Sequence, residues 1–483
     1  MKKISILFLS LVVIITSCSK GFLDVNDTPN NPLSVPPATL LPTTTVSIAF
    51  ANSNELNRAT SAIVQHIAGV GNQTQAYDVY NLDGSFDNQW SLELYSGAIN
   101  NLQILIDQNA TANPGYSGIA KLEMAYAYSM ATDLWGDVPY SQAGQGLKFE
   151  VPRFDKQEDI YQGSSTQIIT SLFDLVKSGL ADLARTGLLK PGAKDDIVYG
   201  GDTAKWKKMG NTLLLKFAIH ISNVNPTLAK STIQSVLTSN SFINANNLDF
   251  EVPFGASVGN QNPIYSFNNL NRLTDQMLSA RLLSLSRSLN DTVRLSKFFT
   301  KPGGVFVAFD NGSTSAAPVA ATRSKYNTYL TGASGEAPIR LLTNFQVNFI
   351  LAEAALILGT TGDPNKYYQD GIKASMSKVG MSQADIDVYF TTNPTVVTLS
   401  GTTEDKRKQI ITQKYIAWIG NGIEAFNDYR RTGYPQLTLA LNALGDNPNV
   451  IPTRLPYTPA ELSRNPSAPS PRPKTDVKLW WAK

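Results

Sequence analysis

Residues 202–222 read DTAKWKKMGNTLLLKFAIHIS, and the return of Trp206, Met209 and Leu213 at three- and four-residue steps predicts a helix. Asp202 or Thr203 supplies a side-chain oxygen for the first free amides. A few residues on, Pro226 opens a shorter helical stretch that runs to residue 237. The unit is therefore a pair of helices, and the rest of the chain repeats it. The same periodicity predicts helices upstream over 40–51, 55–68, 88–108, 118–134 and 155–183. Downstream it predicts helices over 273–288, 340–358, 364–379, 382–390, 403–420 and 423–430. The fold class is mainly α, built from irregular helix pairs.

The run from Trp206 through Met209-Gly210 to Leu213 resembles the W-x2-L-G-x2-Y opening of a tetratricopeptide repeat. Residues 69–87, 240–272, 291–338 and 433–483 carry little periodicity. They are rich in Gly, Pro, Asn and Ser yet keep scattered aromatics, the mark of ordered loops folded back on the scaffold. Beyond the N-terminal segments, the expectation is one domain over 38–483.

The first residues, MKKISILFLSLVVIITSCSKG, have a basic start at Lys2-Lys3, an apolar core over 4–15 too short to span a bilayer comfortably, and small residues before Cys18. This is an export signal over 1–17. The only cysteine of the chain sits where a lipobox places its lipidated residue, so Cys18 is read as the lipid attachment point. Residues 18–37 are rich in turn formers and read as a tether. With Cys18 committed, no disulfide, catalytic thiol or cysteine metal cluster can form.

About 465 residues remain after the signal, enough for a large core. With 41 basic and 38 acidic residues and no Lys/Arg block, nucleic acid is a poor partner. The near-neutral balance also argues mildly against highly anionic glycans. Charged residues make up only 16% of the chain, so its surface is polar through amides and hydroxyls, as suits a protein outside the cytoplasm.

Catalytic patterns are sparse. Gly255-Ala256-Ser257-Val258-Gly259 matches G-x-S-x-G, but Asn260 to Pro263 breaks the helix a nucleophile elbow needs, and His66 and His220 both precede the serine. Two isolated histidines supply no zinc site. Asp78, Asn81, Asp83, Gly84 and Asp87 offer oxygens to a calcium ion, but Trp90 stands where a closing Glu belongs. No cofactor is expected. Glu353, on a helix apolar on nearly every side with Asn344 and Asn348, is a buried-polar candidate: either a catalytic acid with a raised pKa or, the commoner case, a carboxylate satisfied by an arginine or a helix N-terminus. The Asp133–Ser141 run reads as a helix end, with Gly136 turning and Trp135 folding back. In the other helix end, 428–431, cations suit the dipole and Glu424 is placed to pair with the neighbours of Asp428 or with Arg431. Trp90, with Leu94, reads as core.

The aromatic loops carry the binding signal. Tyr77, Tyr80 and Phe86 stand with Asn81, and Tyr265 and Phe267 with Asn268; Phe306, Phe309, Tyr326 and Tyr329 follow. Flat aromatic faces take the apolar face of a sugar or a peptide side chain, while amides fix its orientation. Residue by residue the alternative is a loop anchored by its own aromatic, and a few are expected to line a site.

Four pieces together resemble the SusD/RagB family of outer-membrane nutrient-binding lipoproteins. They are Phe22-Leu23-Asp24-Val25-Asn26 with Pro29-Asn30-Asn31-Pro32; Asp133-Leu134-Trp135-Gly136-Asp137-Val138-Pro139-Tyr140-Ser141; and Val198-Tyr199-Gly200-Gly201-Asp202 leading to Trp206. The fourth is Gln413 to Trp418 with Glu424 to Pro435 and Arg454-Leu455-Pro456-Tyr457. The resemblance implies tetratricopeptide-like helix pairs bearing a loop-built site. It also implies a lipid-anchored protein on the outer face of the outer membrane, and capture of an oligosaccharide or peptide without turnover. Delivery would be to a SusC-like TonB-dependent transporter for which the protein is a lid. Cys18 is the one functional residue the resemblance transfers. A lipid-anchored hydrolase and a helical-repeat envelope scaffold remain the alternatives.

Overall fold

The computed structural model describes residues 35–483, so the export signal, Cys18 and the 18–34 part of the tether lie outside the described residues. Helix pairs carry the fold. Thr203–His220, capped by the Asp202 carboxylate on the amides of Ala204 and Lys205, packs on Pro226–Ser239. Pro114–Trp135 packs on Leu172–Asp182, Asn344–Ile357 on Pro364–Lys378, and Thr403–Ala417 on Gly422–Thr432. The Trp206 motif explains one such contact. Its indole is buried and donates to Asp196 Oδ2 at 2.7 Å. A Cβ at Gly210 would stand 2.8 Å from Leu180 and 3.0 Å from Leu122, so the absent side chain lets three helices close up.

Strands are few: the described residues hold three antiparallel two-stranded pairs. Buried apolar side chains from Leu40 to Trp481 form one contiguous cluster.

Several predicted helices are shorter than their periodicity. The 155–183 pattern splits into Gln157–Gln162 and Leu172–Asp182, because Gly163 at φ +81° and the hydroxyl run after it end the first helix before Ser171 caps the second. The 55–68 pattern stops as helix at Ile63, and Ile67–Gly69 becomes a strand. Its partner is Gln276–Leu278, so the apolar residues at the start of the 273–288 pattern pair as strand, and the helix is only Ala280–Ser288. A three-residue strand cannot be told from a helical turn by apolar spacing. The 69–87 stretch in turn contains a helix, Asn72–Asp78.

The long C-terminal segment has one short helix, Pro459–Arg464, yet it completes the core. The fully buried Trp135 donates its indole N–H to Pro456 O at 2.9 Å, and Gly136 turns the chain at φ +85°, as the helix-end reading requires. Two cations meet this helix end. Arg454 donates to the Trp135 carbonyl and Arg430 Nη1 to the Asp133 carbonyl at 2.6 Å, where last-turn oxygens have no helical partner.

Inside the helical half lies a buried charge network. Glu353 Oε1 accepts from Arg431 Nη1 at 2.6 Å and Arg407 Nε at 2.9 Å, and Oε2 accepts from Arg431 Nη2 at 2.7 Å. Burial pushes this carboxyl up, but Arg431 and then Arg407 outweigh it and hold it down to about 2. Arg431 also donates to Asp428, which Lys414 reaches at 2.9 Å. Glu424 does not pair with Arg431, contrary to the helical-spacing expectation. It faces Lys216 and accepts from Gln346 Nε2 at 2.7 Å, because a buried carboxylate takes the cation its own face meets. Asn344 and Asn348 are half-buried. His220 lies 3.6 Å from Asp133, but burial and the surrounding cations, Lys216 first, keep its imidazole neutral, so this contact is no ion pair.

Two stability predictions follow from these buried carboxylates. Removing Glu353 strands two buried guanidinium groups, so Glu353→Ala is expected to cost about 3–5 kcal/mol in urea unfolding. The second concerns Glu123, fully buried between Thr44 and Thr45, whose hydroxyls lie 3.0 and 2.6 Å from its oxygens. Burial pushes Glu123 up from 4.5 to about 8, so the folded state keeps a proton that the unfolded chain releases. Its contribution is whole below pH 4.5 and is lost as pH rises through about 8. Denaturation against pH should show this decline in the parent and a flatter profile in Glu123→Gln.

Candidate ligand-binding site

The strand pair Ile67–Gly69 with Gln276–Leu278, in register Ile67 to Leu278 and Gly69 to Gln276, brings the two main aromatic loops side by side. Just outside it, Val70 N–H donates to Asp275 O at 2.8 Å and Asn72 Nδ2 to Asp275 Oδ1 at 2.9 Å. The loop before the second strand hangs on Asn262. This buried side chain accepts from the amides of Ile264 and Tyr265 and donates to Leu330 O at 3.1 Å and Ala337 O at 2.8 Å. One residue thus ties residues 263–271 to the 330–337 loop. Ser266–Asn271 then winds as a π-helical turn, which presents Phe267 and Asn268 sideways.

Phe267 and Asn268 open on a crevice against the Glu55–Ile63 helix. The Arg58 guanidinium carbon lies 3.7 Å above the centre of the Phe267 ring, a cation–π stack. Arg58 Nε has no hydrogen-bond partner, and neither does the buried Gln276 Oε1 on the same crevice. Burial pushes Arg58 down from its usual value, with Tyr77 and the carboxylates of Glu55, Asp275 and Glu93 acting the other way. Asn268 Nδ2 donates back to Ile264 O at 2.8 Å. Asn268 and Tyr326 also border an adjoining open depression of about 390 Å³, whose far side carries Leu273, Pro302, Arg323 and Lys325. Arg58, Phe267 and Gln276 line a narrow crevice of about 10 Å³, which Asn268 and Tyr326 connect to the open depression, so a ligand seated in the depression meets the edge of the aromatic stack.

The other sequence candidates do not join this site. Tyr77, Tyr80 and Phe86 are 0%, 1% and 2% exposed and are core. Tyr77 stacks on Phe86 with ring centres 5.7 Å apart and donates to Glu55, while Tyr80 OH accepts from Ala440 N–H at 3.0 Å. Tyr80 and Phe86 hold φ of 66° and 75°, a left-handed backbone that aromatic residues adopt only when packing fixes them. Asn81 is exposed but stands apart from the crevice lining. Tyr265 is half-buried beside Gly335. Tyr329 lies under the Arg340 guanidinium at 3.7 Å and packs on Phe298. Phe306 sits near Lys301, and Phe309 exchanges backbone bonds with Leu278 and Ala280.

The calcium cluster does not assemble. Asp78 is buried and binds Asn311 and Gly312, Asp83 meets Arg472 at 2.7 Å, and Asp87 accepts from Ala460 N–H at 3.0 Å, so three carboxylates serve three separate partners. No metal-holding group of three such ligands occurs among the described residues. Ser257 is exposed on its loop while both histidines are buried, so the G-x-S-x-G match assembles no dyad. Trp90 is core, its ring 5.0 Å from Trp135.

The sequence reading missed two features. Arg58 looked like an ordinary surface position of an amphipathic helix, and nothing local signals that its guanidinium covers Phe267. A larger cavity of about 670 Å³ lies among Ala280–Ser288, Thr403–Ala417 and the 435–438 strand of chain, with Arg281, Lys408, Gln413 and Tyr415 on its walls. None of the sequence candidates lines it. Arg281 donates to the carbonyls of Thr438 and Leu439, and the lining mixes the two scaffold helices with the 435–438 segment and carries no cation–aromatic stack. The smaller loop-built face, with two unpartnered polar groups against an aromatic, is the better candidate.

Comparison with known proteins agrees with this architecture. Residues 29–458 match the SusD-like family described as "Starch-binding associating with outer membrane". No curated protein matches the sequence. Among solved structures, a chitin-binding protein superposes with a TM-score of 0.78 at 24% identity, covering 93% of this chain and 100% of its own. A SusD homologue from Bacteroides uniformis gives 0.73 at 24%, over 92% and 99%, and a chitin-binding SusD homologue from Flavobacterium johnsoniae gives 0.73 at 22%, over 92% and 97%. At these identities the structures establish the shared helical fold, and the family match over most of the chain completes the assignment: this protein belongs to the SusD-like family of starch-binding proteins that associate with the outer membrane.

Proposed function

We propose that this protein is a lipid-anchored receptor on the outer face of the outer membrane. It captures an oligosaccharide on its loop face and passes it intact to a SusC-like TonB-dependent transporter, for which it serves as lid. The observation that carries this reading is the Arg58–Phe267 stack beside Asn268 and Gln276, an aromatic plate with unsatisfied polar atoms at its edge. A sugar ring presents the complementary pair, an apolar C–H face and a rim of hydroxyls. The family description and the chitin-binding neighbours favour a glycan over a peptide.

The lid role draws on the helical half. Helices locked by buried ion pairs form a stiff body that can seal against a channel mouth while the loops face the medium. Cys18 supplies the anchor, since the acyl chains of a bacterial lipoprotein each add about 0.8 kcal/mol per buried methylene.

Three outcomes test this reading. Titration calorimetry with chitin and starch oligosaccharides should give binding with the ligand recovered unaltered, and cleavage products would promote the hydrolase. Phe267→Ala should weaken that binding by about 1 kcal/mol, a factor of about five, while Tyr77→Phe leaves it unchanged because Tyr77 is core. In cells, Cys18→Ala should shift the protein from the membrane pellet to the soluble fraction, checked by fractionation and immunoblot.

A further inference from the structure

Charge in the open depression is one-sided. The crevice and the adjoining depression together contain three ionisable side chains of firm charge, Arg58, Arg323 and Lys325, and no Asp or Glu lines either one. None of the three is in an ion pair among the described residues. Arg323 is held in place by carbonyls instead: Nε donates to Pro318 O at 2.8 Å and Nη1 to Thr274 O at 2.6 Å, which fix the guanidinium and leave its charge uncompensated. The Lys325 backbone is pinned as well, its N–H donating to Thr300 Oγ1 at 3.0 Å and its carbonyl accepting from Thr300 N–H at 2.8 Å. Burial and then the neighbouring Arg323 push the Lys325 ammonium down, so the two cations stand close enough to repel each other.

Around Arg58 the charge is balanced, because Glu55, Asp275 and Glu93 lie near it and accept only from the neutral donors Asn72, Gln73, Tyr77 and Asn54. The uncompensated pair is Arg323 and Lys325, and two mutually repelling cations in an open depression are stabilised by an anion bound between them.

We infer that the glycan this face selects is anionic, carrying carboxylate or sulfate groups along a sugar chain whose ring stacks on Phe267. The inference rests on the glycan-binding reading above and narrows it. A bare small anion does not satisfy the site, because the aromatic plate and the Asn268 and Gln276 amides lie beside the cations and call for a ring with hydroxyls. The near-balance of 41 basic and 38 acidic residues over the whole chain is no obstacle, since at physiological ionic strength a bound group senses charges chiefly within about 8 Å.

The test is calorimetric titration of the purified chain from residue 19 onward with three probes of equal length: tri-galacturonate, a sulfated neutral trisaccharide and its unsulfated parent. Each is run at low and at physiological salt. One of the anionic probes is expected to bind about tenfold tighter than the neutral one at low salt, and salt should erode the difference. Which anionic probe wins distinguishes carboxylate from sulfate. Lys325→Gln, at a partly exposed position where folding is not at risk, should weaken the anionic probe about two- to fivefold and leave the neutral one unchanged. Equal or tighter binding of the neutral trisaccharide, indifferent to salt, overturns the anionic inference while leaving glycan capture standing. Failure of all three probes, with the fold verified by circular dichroism, overturns both.

Discussion

The fully buried Glu353 carboxylate, gripped by Arg431 and Arg407, is the constraint on which the rest of the molecule depends. It joins Asn344–Ile357 to a helix pair more than forty residues further on, Thr403–Ala417 and Gly422–Thr432. Removing one partner leaves an uncompensated charge in the core, so these helices have one acceptable arrangement. From the last of them Arg430, the residue before Arg431, reaches the end of Pro114–Trp135, where Arg454 of the C-terminal segment also docks. Charge is therefore used inside the protein to fix helix against helix.

That bracing explains how a binding face can be built from irregular loops. A loop has few internal bonds, so its geometry must come from what it is tied to. Here the ties are a three-residue strand pair and one buried asparagine, Asn262, whose four hydrogen bonds link two loops. Helices hold these anchor points still, and the loops between them are free to place Phe267, Asn268 and Tyr326 around a ligand.

Much of this was legible in the sequence, and the reasons for the rest are specific. Long helices announced themselves by periodicity, and Glu353 was readable as a buried carboxylate needing a partner, while the choice of Arg431 and Arg407 over a helix N-terminus came only with the fold. Trp135 and Gly136 were readable as a helix end because a turn needs a residue that tolerates positive φ. The strands were not, since three apolar residues carry no period. Tyr77, Tyr80 and Phe86 looked like ligand-facing aromatics because a Gly- and Asn-rich loop hides the fact that it folds inward and uses them as its own core. Phe267 and Asn268 had the same sequence signature, and what separates them is Arg58, more than two hundred positions away. Pairings between distant segments, and the local charge they create, are absent from composition.

The central claim is that ligand binds where these loops converge. Hydrogen–deuterium exchange of the purified protein, with and without a saturating oligosaccharide, tests it most directly. The account predicts new protection in residues 264–273 and 318–326 and in the first turns of Glu55–Ile63, with the helical half unchanged. Protection confined to 280–289 and 408–413, around the larger cavity, would contradict it.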